Sequence, residues 1–131
     1  MKRLLFPVLA MLACGSAASA RPDDSPQARL DRALAGRIAG KPVDCLQLYD
    51  IRSSEIIDGI GILYEGTGGV RYLNRPRSGA SSLRTNEILV TDTHTGELCS
   101  IDTVRLVDST SRVPVGFVGL DKFVPYPRPG R

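Results

Sequence analysis

The cysteines are the side chains of this sequence that are best suited to covalent chemistry, and there are three of them: Cys14, Cys45 and Cys99. Cys45 and Cys99 lie 54 positions apart. If Cys14 is removed with an N-terminal leader, the other two remain as an isolated pair, which is expected to form a disulfide in an oxidising compartment. On the chain-entropy model, closing a loop of this length stabilises the fold by about 4 kcal/mol.

A metal site or a redox pair is the alternative interpretation of Cys45 and Cys99. A structural zinc site needs four ligands, and the chain contains one histidine, His94. Redox pairs usually lie in a Cys-X-X-Cys motif, which the sequence lacks. We therefore predict a structural disulfide, no metal ligands and no cofactor.

The remaining candidates for catalysis lack the neighbours that catalysis requires. His94 lies in Asp-Thr-His-Thr-Gly-Glu, residues 92–97, whose composition is typical of a hairpin tip and predicts an exposed ring. The serines of segment 78–82 have no Gly-X-Ser-X-Gly elbow around them. Asp58 and Asp102 could meet across strands as a carboxylate pair, although each is expected instead to bond a turn amide or an arginine. We predict no catalytic residue, with a small hydrolase that uses these acids as the alternative.

The most unusual local composition is in segment 71–84, which contains four arginines and no acidic residue. Its proline and glycine predict a loop. Guanidinium groups bind carboxylates and phosphates through paired hydrogen bonds, so these arginines are candidate contacts for an anionic partner. The four candidates are Arg71, Arg75, Arg77 and Arg84. The favoured interpretation of these arginines is ordinary surface ion pairs with acids elsewhere in the chain, namely Asp50, Glu55, Asp58 and Glu87.

The first twenty residues have the order of a bacterial secretory signal peptide. Lys2 and Arg3 precede an apolar stretch, residues 4–13, and the segment ends in Ala-Ser-Ala at residues 18–20. The apolar stretch is too short to span a bilayer, and no later stretch approaches the roughly 20 apolar residues that a transmembrane helix needs. We therefore expect an exported chain, periplasmic or secreted, with no transmembrane span.

Two processing routes compete at this leader. Residues 18–20 suit cleavage before Arg21, whereas residues 11–14, Met-Leu-Ala-Cys, resemble a lipobox in which Cys14 would be lipidated. The methionine and the short leader argue against the lipobox, and the small residues Gly15 and Ser16 argue for it. Ordinary cleavage is the prediction, and an outer-membrane lipoprotein is the alternative.

Most of the positive charge of the chain belongs to the leader. The whole sequence has a formal net charge of +3, but the 111 residues after the leader carry 15 basic and 14 acidic side chains. A nearly neutral chain lacks the dense positive field of a nucleic-acid-binding protein, so nucleic acid is not expected as a partner. A chain of this length fits one domain with a modest core.

One helix is predicted near the start of the mature chain. Ser25 and Pro26 are a typical helix start, a cap followed by proline at the first helical position. The apolar stripe repeats every four residues and predicts an amphipathic helix to about residue 39. The stripe consists of Leu30, Leu34 and Ile38.

From residue 43 onward the apolar period changes to two, which indicates half-buried strands. The predicted strands are 43–51, 55–64, 69–74, 86–92, 98–107, 115–119 and 122–125. A glycine-rich hairpin loop at 65–69 joins the second strand to the third. A bulge or bend is expected near Asp102 and Thr103, because the apolar alternation changes face there.

These patterns predict a mainly β fold, a small antiparallel barrel or sandwich whose single short helix plugs an end or covers an edge. The predicted organisation is a signal peptide at 1–20, a lead-in and helix at 21–42, a β domain at 43–127 and a C-terminal tail at 128–131.

A series of short motifs resembles a group of small exported proteobacterial proteins that are classed as a domain of unknown function. The motifs lie between residues 43 and 125: Asp44-Cys45, Arg52-Ser53, Ile57-Asp58, Tyr72-Leu73-Asn74-Arg75, Leu83, Leu98-Cys99-Ser100-Ile101-Asp102 and Gly119-Leu120-Asp121-Lys122-Phe123. Two further cysteines are common in that group, and Ala80 and Val118 stand at those places here. The resemblance implies that a second disulfide has been lost as a pair and that cysteine is structural. It implies no activity.

Together these features predict a non-enzymatic exported protein that binds an anionic component of the cell envelope through segment 71–84. The envelope hydrolase is an alternative of a different class. A lipid-anchored assembly or inhibitor protein is a third interpretation, which lipidation of Cys14 would favour.

Overall fold

The computed structural model describes residues 14–16 and 23–130. Most of the predicted signal peptide, the cleavage position before Arg21 and the end of the predicted tail lie outside the described residues. Within these two ranges, none of the helices combines the length and the apolar character that a membrane crossing requires.

The helix α1, Pro26–Ala33, begins where the sequence predicts and ends about six residues early. The Ser25 hydroxyl accepts a hydrogen bond from the Ala28 N–H at 3.2 Å, which satisfies one of the free donors of the first turn. The chain then turns through Gly36, whose φ of +73° is the left-handed conformation that ends helices.

The end of α1 divides the predicted apolar stripe. Leu30 is buried and Leu34 is half-buried, whereas Ile38 is 83% exposed. The prediction of a helix to residue 39 is therefore wrong, because the turn after Ala33 carries Ile38 away from the sheet.

Between residues 34 and 130 the structure has nine strands: β1 Cys45–Gln47, β2 Ile51–Ile57, β3 Gly61–Gly66, β4 Arg71–Asn74, β5 Glu87–Thr91, β6 Glu97–Cys99, β7 Thr103–Asp108, β8 Pro114–Gly119 and β9 Phe123–Tyr126. They form three antiparallel sheets, with strand orders β1-β6, β2-β3-β4-β9 and β5-β7-β8. Three single-turn 3-10 segments lie between them, at Leu48–Asp50, Thr67–Gly69 and Ala80–Ser82. The sheets do not close into a barrel, so the mainly β prediction is confirmed in its sandwich-like form.

Two of the predicted strands are in fact pairs of strands. The segment predicted as 55–64 turns at Gly59, whose φ is +69°, and the Ile60 N–H donates to the Ile57 carbonyl at 2.9 Å. β2 and β3 therefore form a hairpin. The period-two pattern continues through the turn because apolar residues flank it on both sides, which is why the pattern alone missed it.

The segment predicted as 98–107 is divided in the same way. The Asp102 carboxylate accepts a hydrogen bond from the Cys99 N–H at 2.7 Å, and the Asp102 N–H donates to the Cys99 carbonyl at 3.0 Å. The expected bend near Asp102 is thus a complete turn, and β6 and β7 belong to different sheets.

The four-stranded sheet has buried apolar side chains on both faces. One face contributes to the main core, which consists of Leu46, Ile56, Ile62, Tyr64, Leu83, Leu98, Val104, Leu106, Val118, Leu120 and Phe123. The other face packs against Leu30 of α1 through Ile57, Leu63 and Leu73. The helix therefore covers a sheet face, and the prediction that it lies at an end or an edge is wrong.

Asn74, at the end of β4, is a fully buried polar side chain at the point where the two larger sheets meet. Its Nδ2 donates to the Asp121 carbonyl at 2.6 Å, and its Oδ1 accepts from the Asp121 N–H at 3.1 Å. Both polar atoms of the amide are thereby satisfied, and the link that leads from β8 into β9 is held at one position.

Asn74→Ala is expected to lower the free energy of unfolding by about 2 kcal/mol, because it removes two hydrogen bonds made by a fully buried amide. Urea denaturation measures this change. The matched control is Asn86→Ala, since Asn86 is exposed and makes one long side-chain bond of 3.4 Å to Asp108. An equal loss in both variants would contradict the role assigned to Asn74.

Tyr64 in β3 is buried in the main core, and its ring packs edge-on against Phe123 with centroids 5.8 Å apart. Its hydroxyl has no hydrogen-bond partner among the described residues. Burial raises the pKa of Tyr64 above its ordinary value. The phenol therefore stays neutral in the folded protein at a pH that ionises it in the unfolded chain.

Tyr64→Phe is expected to raise the free energy of unfolding by about 1 kcal/mol at neutral pH, because it removes an unsatisfied buried hydroxyl. In the wild type, the contribution of Tyr64 to the free energy of unfolding is fully present below the pKa of about 10 that its phenol has in the unfolded chain. That contribution is lost as the pH rises from this value toward the pKa of the phenol in the folded protein. The variant should therefore lose less stability in alkaline solution, as measured by urea denaturation at increasing pH. The control is Tyr49→Phe, since Tyr49 is 80% exposed. This variant should change neither the free energy of unfolding at neutral pH nor its decrease in alkaline solution.

Candidate functional site

Cys45 and Cys99 form a disulfide, as the sequence predicts. They stand directly opposite each other in the β1–β6 pair, with Cα atoms 4.0 Å apart. The flanking hydrogen bond from the Ser100 N–H to the Asp44 carbonyl at 2.7 Å shows that they occupy a non-hydrogen-bonded position of the ladder. Such positions bring opposite side chains closest together, which suits a bridge between the two strands.

Glu97 is the acidic side chain next to the disulfide. Its Oε2 lies 3.9 Å from the Cys99 Sγ, and its Oε1 accepts a hydrogen bond from Gln47 Nε2 at 2.6 Å. The Cys45, Cys99 and Glu97 ligand atoms all lie within 4.8 Å of one another. Both sulfurs are in the disulfide and have no thiolate to offer, so this arrangement does not hold a metal in its oxidised form.

The arginines of segment 71–84 have different environments. Arg71 is half-buried in β4, and its Nη1 donates to the Ala33 carbonyl at the end of α1. Arg84 is exposed, and its Nη1 donates to the carbonyls of Ser81 and Leu83 at 2.9 and 2.6 Å. These two guanidiniums are therefore partly used in holding the local backbone.

Arg75 and Arg77 are the exposed pair of the segment. Neither side chain has a carboxylate within ion-pair distance among residues 23–130. Arg75 lines a shallow pocket of about 240 Å³ together with Pro42, Asp121, Lys122 and Tyr126.

The acids that were expected to neutralise these arginines bind elsewhere. Arg29 of α1 pairs with Glu55 at 3.2 Å and with Asp58 at 3.7 Å. The Asp50 carboxylate accepts from the Thr67 hydroxyl, and the Glu87 carboxylate accepts from a backbone N–H, that of Arg84. Glu55 and Asp58 thus form their ion pairs with Arg29 of the helix and not with the arginines of segment 71–84.

The groups considered for catalysis lie at separate places. Asp58 is in the β2–β3 turn, where Arg29 and the Thr85 hydroxyl bind its carboxylate. Asp102 holds the turn after Cys99 and shares none of these partners. His94 is exposed in the link from β5 to β6, which joins two different sheets and is therefore not the tip of a hairpin.

Two arginines that the sequence analysis did not single out meet at Gly69. Arg37 Nη1 donates to the Gly69 carbonyl at 2.8 Å and to the Tyr126 carbonyl at 3.1 Å. The guanidinium of Arg128 lies against the other side of the glycine, with its Nε 2.7 Å from the position that a Cβ on Gly69 would occupy. A side chain at residue 69 would therefore displace Arg128.

Arg71 brings a third positive charge to the same place. Partial burial lowers the pKa of Arg37, and the charges of Arg71 and Arg128 act in the same direction, whereas Glu65 opposes them. We call Arg37, Arg71 and Arg128 the basic cluster. Along the sequence these residues are far apart, and only the β4–β9 pairing and the end of α1 bring them together.

The outer face of the three-stranded sheet exposes apolar side chains. Val113, Val115 and Phe117 alternate along the loop end and β8 and are each about half exposed or more, with Phe117 at 59%. Arg105 stands opposite Phe117 on β7 and is also exposed. An uncovered group of this kind is a typical feature of contact surfaces.

The double variant Cys45→Ala/Cys99→Ala is expected to lose about 4 kcal/mol of unfolding free energy, because the open chain regains the entropy of a long loop. Equilibrium denaturation measures the loss, and the control is the reduced wild type, which should lose the same free energy because it lacks the same bridge. The intact mass of protein recovered from an exporting host, with and without reduction, should show that two thiols appear only after reduction. Two free thiols before reduction would contradict the bridge.

Comparison of the chain with protein families, with curated proteins and with solved structures finds no match. The resemblance to a family of unknown function is accordingly a prediction that these comparisons do not test.

Proposed function

We propose that this chain is an exported, non-enzymatic binding module of the cell envelope that recognises an anionic component through Arg75 and Arg77. One observation carries the proposal: both arginines are exposed, and no acid among residues 23–130 lies within ion-pair distance of either. Their guanidinium groups therefore keep their hydrogen-bond donors available for a carboxylate or phosphate ligand.

The backbone that carries these arginines is held at both ends. Asn74 is bonded to Asp121 immediately before Arg75. The Arg77 N–H donates to the Gly119 carbonyl at 3.0 Å, and the Gly119 N–H donates to the Ser78 carbonyl at 3.1 Å. A ligand that binds here does not have to order the loop, which reduces the entropic cost of association.

The cation of the pocket beside Arg75 that has no ion pair among residues 23–130 is Arg75 itself. Lys122 also lines the pocket and pairs with Asp44 at 3.8 Å, and the Asp121 carboxylate accepts a hydrogen bond from the Lys122 N–H at 2.7 Å. Tyr126 and Pro42 supply apolar surface at its edge. This combination suits a ligand that joins an anionic group to an apolar part.

The disulfide supports export, because such bridges persist in oxidising compartments. The proposed location is the periplasm or the medium, with an outer-membrane lipoprotein anchored at Cys14 as the alternative. The non-enzymatic assignment is supported by the separate structural contacts of Asp58 and Asp102.

The test is capture of partners from detergent-solubilised envelope with the purified protein as bait. The double variant Arg75→Glu/Arg77→Glu is expected to lose the captured component, because it replaces two cations with two anions at the contact. The matched control is Arg52→Glu/Arg105→Glu, which makes the same change in net charge at two other exposed arginines. Thermal denaturation should show that all three proteins are folded.

Loss of capture in the Arg75/Arg77 variant alone would support the site. Equal capture by all three proteins would overturn it, and equal loss in both variants would show that only net charge matters.

A further inference from the structure

The basic cluster concentrates positive charge with little neutralisation. Arg37 and Arg128 meet at Gly69, and Arg71, bound to the Ala33 carbonyl, is close enough for its charge to act on Arg37; none of the three belongs to an ion pair within 4.0 Å among the described residues.

Glu55 and Glu65 line one pocket with Arg71, and Glu55 is paired with Arg29 at 3.2 Å, so the acid that acts on the basic cluster is Glu65. It stands opposite Arg71 in the β3–β4 ladder, and its Oε2 accepts a hydrogen bond from the Ser53 hydroxyl at 3.4 Å.

The backbone fixes the positions of two of these guanidiniums. Arg37 Nη1 bridges the carbonyls of Gly69 and Tyr126, and Arg71 Nη1 donates to the carbonyl of Ala33. Each guanidinium has five N–H donors, so most of the donors of Arg37 and Arg71 remain free after these bonds. The two groups are held in place and still able to bind.

Arg128 completes the cluster from the segment after β9. Its guanidinium carbon lies 3.0 Å from the Cβ position of Gly69, so it occupies space that only a glycine leaves open. Gly69 has a φ of +78°, which also favours glycine at this position. No hydrogen bond of the Arg128 side chain is recorded among the described residues, which leaves its donors free.

We propose that the basic cluster is a binding site for a phosphate dianion, either inorganic phosphate or the phosphomonoester group of a larger ligand. Three guanidiniums and one carboxylate give the site a net charge of about +2, which matches the charge of about −1.5 to −2 on a phosphomonoester at neutral pH. Guanidinium groups bind phosphate through paired, charge-assisted hydrogen bonds. This site is distinct from Arg75 and Arg77, and it goes beyond the proposed function.

The test is titration of the purified protein with inorganic phosphate at constant ionic strength, followed by NMR shifts of the Gly69 amide and by the increase in Tm. Wild type should bind saturably. Arg128→Gln is expected to weaken binding about 10-fold, because it removes one charge-assisted contact. Glu65→Gln should tighten binding, because it removes the negative charge that acts on the basic cluster.

Two controls separate a specific site from general attraction. Arg105→Gln removes an exposed arginine on another sheet and should leave phosphate affinity unchanged. Arg112→Gln removes an exposed arginine from the link between β7 and β8, which belongs to neither proposed site, and should also leave it unchanged. Arg128 is the informative substitution because Arg37 and Arg71 also support the backbone. Absence of saturable binding by wild type, or equal affinity in Arg128→Gln, would overturn the proposal.

The source of the phosphate is decided by a second arm, sedimentation with neutral vesicles that contain or lack phosphatidic acid. Binding that needs phosphatidic acid, is displaced by inorganic phosphate and is lost in Arg128→Gln would identify a lipid headgroup. Phosphate binding without vesicle binding would identify a soluble phosphate ligand. Either result supports the site.

Discussion

The pair of hydrogen bonds between the Asn74 amide and the backbone of Asp121 is the interaction that joins the two larger sheets in one arrangement. The Asn74 amide is fully buried, and a buried amide is costly to leave unsatisfied. Because the geometry of an amide permits one alignment with a backbone N–H and carbonyl, it also fixes the register at which β9 joins β4. The placement of Arg75 and of the link from β8 to β9 follows from that alignment.

The four-stranded sheet has apolar side chains to bury on both of its faces, and this accounts for the position of the helix. Ile57, Leu63 and Leu73 alternate with main-core residues and would be exposed without a cover. Leu30 of α1 covers them, although two turns of helix are too short to be stable alone. The sheet and the helix therefore depend on each other, and Arg71 reinforces the contact by capping the end of α1.

The sheet β1-β6 is the least supported part of the fold, since it consists of two strands of three residues each. A two-stranded ribbon of this length is marginal in water. The disulfide compensates for this, because it joins the two strands covalently at facing positions. A chain of this size has a modest core, and a covalent link between distant segments reduces the entropy of its unfolded state.

The sequence by itself determined the features that depend on neighbouring residues or on composition. These are the Ser25 cap, the mainly β class, the hairpin loop at 65–69 and the pairing of the two cysteines. The hydrogen bond of a helix cap and the alternation of side chains along a strand involve residues that are close in sequence. The cysteine count depends on composition alone. All three can therefore be recognised without knowing the tertiary structure.

Only the tertiary structure decided where the strands turn, what the helix covers and which charges meet. The period-two pattern runs through the turns at Gly59 and Asp102. It therefore could not show that the predicted strands 55–64 and 98–107 are each divided into two strands. Arg37 and Arg128 are separated by most of the domain and come together because β9 pairs with β4 beside the end of α1. Such contacts depend on the register of strands that are distant in sequence, and no local pattern specifies that register.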